Sequence, residues 1–430
     1  MLIDARTHGL WQRTAPAAAP VHALAADVTA DAVIIGAGYT GLSTALHLRQ
    51  RGVSVIVIEA SDIGYGGSGR NVGLVNAGLW VTPEVLLRRL GPVFGERLIG
   101  LLSDAPGLVF DLVARHAIDC EATRAGTLHC AVGRSGLEEL EQRAAQWIAR
   151  GVPVQLLGAS ETSARTGSAG RHAYAGALFD ARAGTVQPLA YVRGLARAAL
   201  AGGARVFVQS PALSATRDAG TWTVSTPGGR VSAQWIVVAT DAYAHGPWQI
   251  VREEQVRLPY FNLATAPLDP GVRESVLPRR EGAWDTRQAL SSFRLDAAGR
   301  LIFGSVGSLR GRAAGVHEAW ARRALRRIFP QLGEVGFEAT WYGHIGMTND
   351  NLPRFHVFAP NVIGFNGYNG RGIAPGTVFG RILAELIIGN LHYADLPLPV
   401  SQPRPCAARY LRERFYDIGA EALHLTAARF

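Results

Sequence analysis

Three glycines between residues 36 and 41 have the spacing of a phosphate-binding turn. Gly36, Gly38 and Gly41 form the pattern G-x-G-x-x-G. The first glycine permits a tight turn, the second lets the backbone approach a pyrophosphate, and the third lets a helix pack close to a strand. Glu59 follows Gly41 at roughly the spacing of about 20 residues at which an acid binds a ribose diol. These residues predict dinucleotide binding.

The flanking segments predict the elements that must position this turn. Residues 32–35 and 53–58 are apolar runs typical of buried parallel strands. Leu42, Ala45 and Leu46 lie on one face of a helix between them. The beginning of that helix supplies free N–H groups and a partial positive charge for phosphates. G-x-G-x-x-G alone is a weak signal, but strand, turn, helix, strand and acid in this order are specific.

Two further glycine-rich segments favour FAD over NAD. The first, ASDIGYGGSGRNVGLVN (60–76), stands where an NAD-binding domain ordinarily enters another helix. It could bring N–H groups to the pyrophosphate and pass backbone along an isoalloxazine ring, although an ordinary surface loop is the alternative. The second, GFNGYNGRGIAPGTVFGRILAELIIG (364–389), is a glycine-rich turn that leads into an amphipathic helix. Its N-terminus and Arg371 would stabilise negative charge on the pyrimidine edge of reduced flavin.

Composition bears on whether the protein spans a membrane, is secreted, holds a metal or binds nucleic acid. The chain has 430 residues, a formal charge of +9 and 43 basic residues, and every one of these is arginine. No apolar run approaches the roughly 20 residues of a membrane span, and residues 1–29 lack the pattern of a secretory signal, so we expect an N-terminal extension there. The three cysteines are unpatterned, which predicts a cytoplasmic protein without a metal site. We do not expect nucleic acid as a partner, although the charge permits tRNA binding.

Five blocks of sequence occur in an order that resembles one family. They are residues 31–76, TVQPLAYVRGLARAA (185–199), WIVVATDAYA (235–244), WYGHIGMTNDNLPRF (341–355) and GYNGRGIAPGTVFGRILAEL (367–386). The order resembles the FAD-dependent amine and amino-acid oxidoreductases of the D-amino-acid oxidase superfamily. GYTGLSTALHL, EASDIGYGGSGRN and the late glycine-rich helix are most similar to its γ-glutamylputrescine oxidase branch.

The resemblance implies an α/β fold with two interleaved lobes. A Rossmann-like FAD-binding lobe of the glutathione-reductase type would contain residues 30–90, 155–240 and 335–390. A mixed-sheet α+β substrate lobe would contain 91–154 and 241–334, with strands near 257–268 and 299–307. Residues 391–430 would form a tail with a helix.

Carried over by position, the resemblance also implies the FAD contacts. They serve the pyrophosphate turn, the adenosine ribose and adenine, the second loop, the flavin ring and its dimethyl-distal edge. In chain order they are Gly36, Gly38, Tyr39, Thr40, Gly41, Glu59, Ala60, Gly67, Ser68, Arg70, Asn71, Val72, Gly73, Leu74, Ala212, Thr348, Gly367, Tyr368, Asn369, Gly370, Arg371, Gly372 and Ile373.

We expect this FAD to be bound non-covalently. Arg70 stands where some dehydrogenase relatives carry a linking histidine. No cysteine occurs in residues 341–350, where sarcosine-oxidising relatives attach the flavin.

The implied reaction transfers hydride from a carbon bearing nitrogen to flavin N5 and leaves an imine that water hydrolyses. It needs no side-chain base, because the protein mainly orients a neutral amine and keeps the site dry. Amino-acid-oxidising relatives often carry a carboxylate-binding arginine where this chain has Ile345, which favours an amine such as a polyamine derivative. His344 is the one candidate catalytic residue, and the other candidate pocket residues are Tyr260, Trp341, Ile345 and Tyr368.

Two other functions stay open. One is a D-amino-acid or sarcosine-type oxidase or dehydrogenase, and the other is a flavoprotein that modifies tRNA. The electron acceptor could be O2 or an electron carrier. The sequence does not predict an oligomeric state.

Overall fold

A computed structural model describes residues 8–427, with the side chain of Arg171 left out. Residues 1–7 of the predicted N-terminal extension and 428–430 of the predicted tail lie outside the described residues. The α-helices of the described part are α1 Leu10–Thr14, α2 Tyr39–Gln50, α3 Pro83–Ser103, α4 Ala105–Arg115, α5 Gly133–Ile148, α6 Ala159–Thr166, α7 Pro188–Ala201, α8 Gln249–Glu253, α9 Pro270–Ser275, α10 Ala313–Ile328, α11 Ile373–Ile387 and α12 Arg409–Thr426.

The strands of the same part of the chain form two large sheets and one small one. They are β1 Val28–Ile35, β2 Val55–Ile58, β3 Leu74–Val75, β4 Thr127–Ala131, β5 Val154–Gly158, β6 Gly176–Asp180, β7 Gly184–Thr185, β8 Arg205–Phe207, β9 Ser214–Asp218, β10 Thr221–Thr226, β11 Gly229–Val238, β12 Val256–Pro267, β13 Gly282–Asp285, β14 Ser291–Leu295, β15 Arg300–Val306, β16 Phe337–Met347, β17 Arg354–Ala359, β18 Val362–Asn366 and β19 Val400–Ser401.

A nine-stranded sheet carries the predicted dinucleotide-binding unit. Its neighbouring strands β18, β11, β1, β2 and β8 are parallel, and β1 pairs with β2 so that Ile34 faces Val57. The inner halves of these strands are apolar and fully buried, as parallel strands covered on both faces require. Helices α2, α7 and α11 pack over one face and form the largest apolar core with it.

The second large sheet has eight strands in the order β16, β12, β15, β14, β13, β4, β6, β5. All its pairs are antiparallel except β13 with β4. The strands expected near 257–268 and 299–307 are β12 and β15, which are direct neighbours. A separate apolar core lies between this sheet and α10.

The chain alternates between the two large sheets, which confirms the interleaved α/β architecture. The exact segments differ from those expected. Val154–Gly158 and Gly176–Asp180 belong to the eight-stranded sheet, because β6 pairs with β4 on one side and with β5 on the other. Phe337–Met347 also belongs there, because it pairs with β12 along nearly its whole length. Most of these residues belong to segments that the family resemblance assigns to the cofactor lobe.

The C-terminal helix α12 packs against α10 and β12. Near its end, the His424 ring stacks on Trp320 with 3.8 Å between ring centroids. Its Nδ1 lies 2.8 Å from Nδ1 of His317 on α10, and both imidazoles are fully buried. Burial lowers the pKa of His317 to about 4 and that of His424 to about 3. Both rings are therefore neutral near pH 7.

No helix within residues 8–427 combines the length and the apolar character that crossing a membrane requires. In the same residues, no group of three or more His, Cys, Asp or Glu side chains could hold a metal ion.

The buried histidine pair predicts acid sensitivity. Below the unfolded-state pKa of 6.5 the unfolded chain binds protons that the folded protein does not, so stability falls as the pH drops from 6.5 toward 4. His424→Phe keeps an aromatic ring on Trp320 but cannot be protonated. Urea unfolding at pH 7 and pH 5 should show a smaller loss in this variant, by up to about 1.4 kcal/mol per pH unit. The exposed-site control His22→Phe should lose as much as wild type, and equal losses in all three proteins would contradict the assignment.

Candidate functional site

The turn between β1 and α2 has the geometry of a phosphate-binding turn. Gly36 has a φ of 109°, and its N–H donates to the carbonyl of Ile58 at 2.9 Å. A Cβ built at Gly41 would lie 2.0 Å from the carbonyl oxygen of Gly36, so only glycine fits there. Helix α2 begins directly after Gly38. N–H groups in the first turn of a helix lack intrahelical acceptors, and the pyrophosphate of a dinucleotide would bind at this helix end.

Glu59 directly follows β2 and lies beside the same turn. Its carboxylate accepts hydrogen bonds at 2.9 Å from the backbone N–H groups of Ala37 and Ser61. Burial raises the pKa of Glu59, and these two N–H donors oppose that rise. The Glu59 carbonyl accepts from the N–H of Ser210, which brings the segment of Ala212 next to it. The predicted adenosine contacts Glu59, Ala60 and Ala212 are therefore neighbours.

The second glycine-rich loop folds back over the beginning of α2. The Tyr39 hydroxyl donates to the Ser68 carbonyl at 2.5 Å, and the Tyr39 N–H donates to Ser68 Oγ at 3.2 Å. Asn71 Nδ2 donates to the Gly67 carbonyl and to the Tyr39 hydroxyl. The predicted pyrophosphate residues of the first turn and of the second loop thus form one surface.

The chain leaves this loop as an extended backbone that is held from both sides. Gly73 has a φ of 92°, and a Cβ there would lie 2.0 Å from the Val186 carbonyl. The Val72 carbonyl accepts from Nε of the buried Arg294 at 3.0 Å, and Leu74 begins β3. This rigid backbone is the one that the sequence predicted to pass along the flavin ring.

Arg70 lies between the two lobes. Its Nε donates to the Tyr65 carbonyl at 2.8 Å, its guanidinium stacks over the Tyr65 ring, and its Nη2 is buried without a hydrogen-bond partner in residues 8–427. Its carbonyl accepts from Asn262 Nδ2 on β12 and from Trp341 Nε1 on β16. The predicted pocket residue Trp341 is 1% exposed and acts here as a support for the second loop.

The segment before the first strand braces the same loop. Trp11 on α1 is fully buried, donates from Nε1 to the Asn71 carbonyl at 2.9 Å, and packs edge-on against Trp341. His8 Nε2 lies 3.1 Å from the Gly64 carbonyl. The described part of the N-terminal extension is therefore a structural component of the site.

The third glycine-rich turn is fixed by side chains from two other segments. The Gly367 N–H donates to Asp241 Oδ1 at 2.8 Å. Asn369 has a φ of 52°, and its Oδ1 accepts from the Thr348 N–H at 2.8 Å. The turn ends at Gly372, directly before α11. Thr348 is thus positioned to shape this turn through Asn369.

Helices α2 and α11 begin close together. The Tyr368 hydroxyl lies 2.6 Å from Thr40 Oγ1, and Ser43 Oγ donates to the Thr377 carbonyl at 2.6 Å. Both helix N-termini, each preceded by a glycine-rich turn, therefore face one region. Each helix N-terminus carries a partial positive charge. Two such ends near each other suit a ligand that carries two separate negatively charged groups.

Beyond the third turn, Arg371 is held between two indole rings. Its guanidinium carbon lies 4.7 Å from the ring centroid of Trp80 and 5.1 Å from that of Trp284. Nη1 donates to the Ala77 carbonyl at 2.9 Å. Burial, assisted by the nearby Arg143, lowers the pKa of Arg371 to about 9. No carboxylate within residues 8–427 forms an ion pair with this guanidinium.

Several N–H donors of this region lack partners. Arg371 Nε, Trp284 Nε1 and Arg143 Nε are all buried without a hydrogen-bond acceptor in the described part of the chain. The His129 ring stacks on Trp284, and burial together with Arg143 and Arg371 holds its pKa well below the usual value. Buried donors without acceptors are rare in folded proteins, so an oxygen atom of a ligand or of water would satisfy these three.

The predicted pocket residues divide between two faces of the eight-stranded sheet. Tyr260 and Ile345 share one face, because Tyr260 pairs with Gly343 and side chains alternate along a strand. On that face Ile345 lies against Gly370, and the Tyr260 hydroxyl lies 2.6 Å from Ser292 Oγ. His344 points to the opposite face. Burial lowers the pKa of His344 to about 3, so its ring is a weak base.

Sequence reasoning missed the aromatic and basic residues that complete this region. Trp80, Trp284, Arg143 and His129 come from a loop, β13, α5 and β4, and only the sheet pairing brings them together. The available signal was the pair of tryptophans at positions 80 and 284 in otherwise glycine- and alanine-rich segments. Their proximity can be recognised only when the strand order of the sheet is known.

These residues fit FAD. At glycines 36, 41 and 73 any side chain would collide with a neighbouring backbone carbonyl, so these glycines let the segments around the site pack closely. Two helix ends provide N–H groups for the negative charge of the cofactor. Arg70 retains an unpartnered buried N–H in residues 8–427 for an acceptor atom of the cofactor. When bound, the flavin would supply the acceptor for hydride.

Comparison with known proteins identifies the family. The sequence model of a family described as DAO, FAD dependent oxidoreductase, matches residues 31–386. The chain belongs to this family. The oxidoreductase is therefore an enzyme that depends on FAD, which confirms the prediction of the cofactor and of the D-amino-acid oxidase resemblance.

Relatives along nearly the whole chain agree with this assignment. The oxidoreductase is 30% identical to gamma-glutamylputrescine oxidoreductase of Escherichia coli K12 over 420 residues, which are 96% of each chain. It is 28% identical to the probable oxidoreductase OrdL of Haemophilus influenzae over 91% of this chain and 90% of that one. The solved structure of glycine oxidase from Geobacillus kaustophilus has the same fold, with a TM-score of 0.69 at 21% identity, covering 84% of this chain and 95% of that one.

The close contact at Gly41 predicts that Gly41→Ala weakens FAD binding. The added Cβ would lie 2.0 Å from the Gly36 carbonyl oxygen and would push α2 away from the turn. We expect the FAD dissociation constant, measured by flavin fluorescence titration of apoprotein, to rise at least about tenfold. Gly100→Ala is the matched control, because a Cβ there meets nothing within 4 Å. Unchanged affinity in a folded Gly41→Ala protein would contradict this account of the turn.

The packing of Trp11 predicts that Trp11→Ala destabilises the protein and loosens its second loop. Truncation of a fully buried tryptophan costs about 3–5 kcal/mol of unfolding free energy. Urea unfolding measures this loss, and proteolysis between residues 60 and 76 measures the loosening. Tyr410→Ala removes an exposed aromatic ring and should change stability by less than about 0.5 kcal/mol. Equal effects of the two changes would show that α1 is not a brace.

Proposed function

We propose that the enzyme oxidises a C–N bond of a small amine that also carries hydrogen-bond acceptors, as a polyamine derivative with an amide or carboxylate group does. Hydride leaves the carbon next to nitrogen for flavin N5, and the resulting imine is hydrolysed. The observation that carries this proposal is the cluster around Arg371, the proposed substrate pocket, which combines aromatic side chains with buried N–H donors that lack acceptors in residues 8–427. The relative in Escherichia coli that is named for γ-glutamylputrescine supports the same substrate class.

The walls of this pocket suit a carbon chain. Trp80, Trp284 and Ile345 place apolar surface against the third turn, and Tyr260 lies on the same face of the sheet as Ile345. Arg371 Nε and Trp284 Nε1 can donate to an amide or carboxylate oxygen at one end of such a chain. The chain would thereby be oriented with its amine toward the flavin, and orientation is the main contribution that the protein makes to this reaction.

The charges of the pocket favour the neutral form of the amine. Arg371 and Arg143 are both buried there and both positive, and like charges lower the pKa of an ammonium group bound beside them. A neutral amine has the lone pair that must develop into the imine. Proton loss on binding can therefore replace a dedicated side-chain base. His344 stays a predicted pocket residue without a supporting contact to this region.

Oxidation of an amino acid is the second candidate, because a carboxylate could also accept from Arg371. The glycine oxidases among the relatives keep this possibility in view. Modification of tRNA has less support, because Arg322 and Arg326 on the basic face of α10 form ion pairs with Glu318 and Glu334. The cytoplasmic location and the choice of O2 or a carrier as acceptor stay predictions.

Anaerobic reduction of the purified flavoprotein tests the substrate class. We expect γ-glutamylputrescine to bleach the flavin absorbance faster than putrescine, glycine, sarcosine or D-alanine, because it alone combines an amine with amide and carboxylate acceptors. Faster bleaching by the amino acids would instead assign the second candidate. Oxygen uptake during aerobic turnover then distinguishes an oxidase from a dehydrogenase.

Removal of one indole donor tests the role of the pocket. Trp284→Phe keeps the aromatic ring beside Arg371 but removes the Nε1 donor, so KM for the best substrate should rise about three- to tenfold with little change in kcat. Trp222→Phe is the matched control, because its indole donates to the Pro360 carbonyl at the surface. Equal KM values in the two variants would remove Trp284 from the substrate pocket.

A further inference from the structure

Helix α12 carries an apolar stripe on its exposed side. Its members recur at the 4-3-4-3 spacing that places residues on one face of a helix, and all of them are exposed. Three of the large side chains expose 60% or more of their surface and the fourth exposes 44%. The residues of this α12 stripe are Leu411, Phe415, Ile418, Ala422 and Leu425.

The opposite side of α12 is fixed to the protein. Glu413 accepts from the backbone N–H of Arg257 on β12 at 3.1 Å. Ala420 and His424 are buried, and His424 contacts His317 on α10. The helix therefore cannot turn its stripe inward without losing these contacts. Exposed apolar faces of this kind mark interaction sites on folded proteins.

The stripe is complementary to itself when two copies run antiparallel. A two-fold axis at Ile418 places Leu411 of one copy opposite Leu425 of the other, since both are seven residues from the axis. The same axis places the large ring of Phe415 against the small side chain of Ala422. Large and small side chains thus alternate across the seam, as close packing of two helices requires.

The charges beside the stripe select the same arrangement. Arg414 and Glu421 are seven residues apart and lie along one edge of it, and Arg414 is exposed. In the antiparallel pair, Arg414 of each copy lies beside Glu421 of the other, which gives two symmetric ion pairs. A parallel pair would instead place Arg414 and Glu421 of the two copies on opposite sides of the seam, where neither ion pair could form. Apolar pattern and charge therefore agree on one geometry.

We propose that α12 is the interface of a homodimer in which the stripes of two copies pack antiparallel about a two-fold axis at Ile418. Such an interface is isologous, because the same surface is used by both subunits. It involves no residue of the flavin site or of the pocket around Arg371. Its failure would consequently leave the proposed function untouched.

Sedimentation of the flavin-loaded full chain tests the dimer. Wild type should show twice the 45.9 kDa of one chain and dissociate on dilution. Ile418→Glu should sediment as a monomer at every concentration while keeping its flavin absorbance. Ile148→Glu, an equivalent change at an exposed isoleucine on α5, should sediment as wild type. A monomeric wild type, or a dimeric Ile418→Glu, would overturn the proposal.

Charge exchange tests the orientation. Arg414→Glu places two acidic groups together at each end of the seam and should weaken the dimer at least about tenfold. Adding Glu421→Arg to it restores opposite charges and should recover wild-type association. Failure of the double variant to recover overturns the antiparallel geometry. Binding of monomeric wild type, but not of Ile418→Glu, to anionic phospholipid vesicles would assign the stripe to a membrane surface instead.

Discussion

The close approach of α2 and α11 is the constraint on which the cofactor site depends. A Cβ built at Gly380 would lie 2.6 Å from both the Thr40 carbonyl oxygen and Ser43 Cβ, and one at Gly376 would lie 3.1 Å from Thr40 Oγ1. The two glycines therefore let the helices meet backbone to side chain. Only at this separation can Tyr368 reach Thr40 and bring the third turn beside the first. Two glycine-rich turns that are more than 300 residues apart in the chain become one binding surface in this way.

This arrangement makes the site rich in hydrogen-bond donors. Two helix N-termini, Arg70 and Arg371 all present N–H groups, while the carboxylates of Glu59 and Asp241 accept from backbone N–H groups of the first and third turns. In a buried region of low dielectric, such groups act more strongly than they would in water. In the proposed function, the field that would stabilise negative charge on a reduced flavin would also disfavour an ammonium ion in the neighbouring pocket. One charge distribution would then govern both cofactor binding and the protonation state of the substrate.

The parts of the site that the sequence predicted are those whose chemistry is local. The turn at Gly36 to Gly41 and the acid at Glu59 lie within one strand–helix–strand unit, so their spacing is sufficient. The role of Trp341 could not be predicted in this way. A tryptophan that lines a pocket and a tryptophan that donates to the Arg70 carbonyl look the same in the sequence. The lobe boundary expected near residue 155 differs from the structure for a similar reason. The pairing of β6 with β4 is a property of the whole sheet, and the composition of the chain does not change near residue 155.

The absence of lysine from the chain is compatible with these roles because the buried cations need a planar group. Arg371 lies between two indole rings, and Arg294 lies 5.1 Å from the ring of Trp11 while it donates to the Val72 carbonyl. A guanidinium is weakly hydrated and can stack on aromatic rings while its edge donates in fixed directions. An ammonium group would lose more hydration on burial and could not do both at once. At these positions lysine would therefore be a poor substitute, and the orientation of the Arg371 guanidinium depends on the tryptophans beside it.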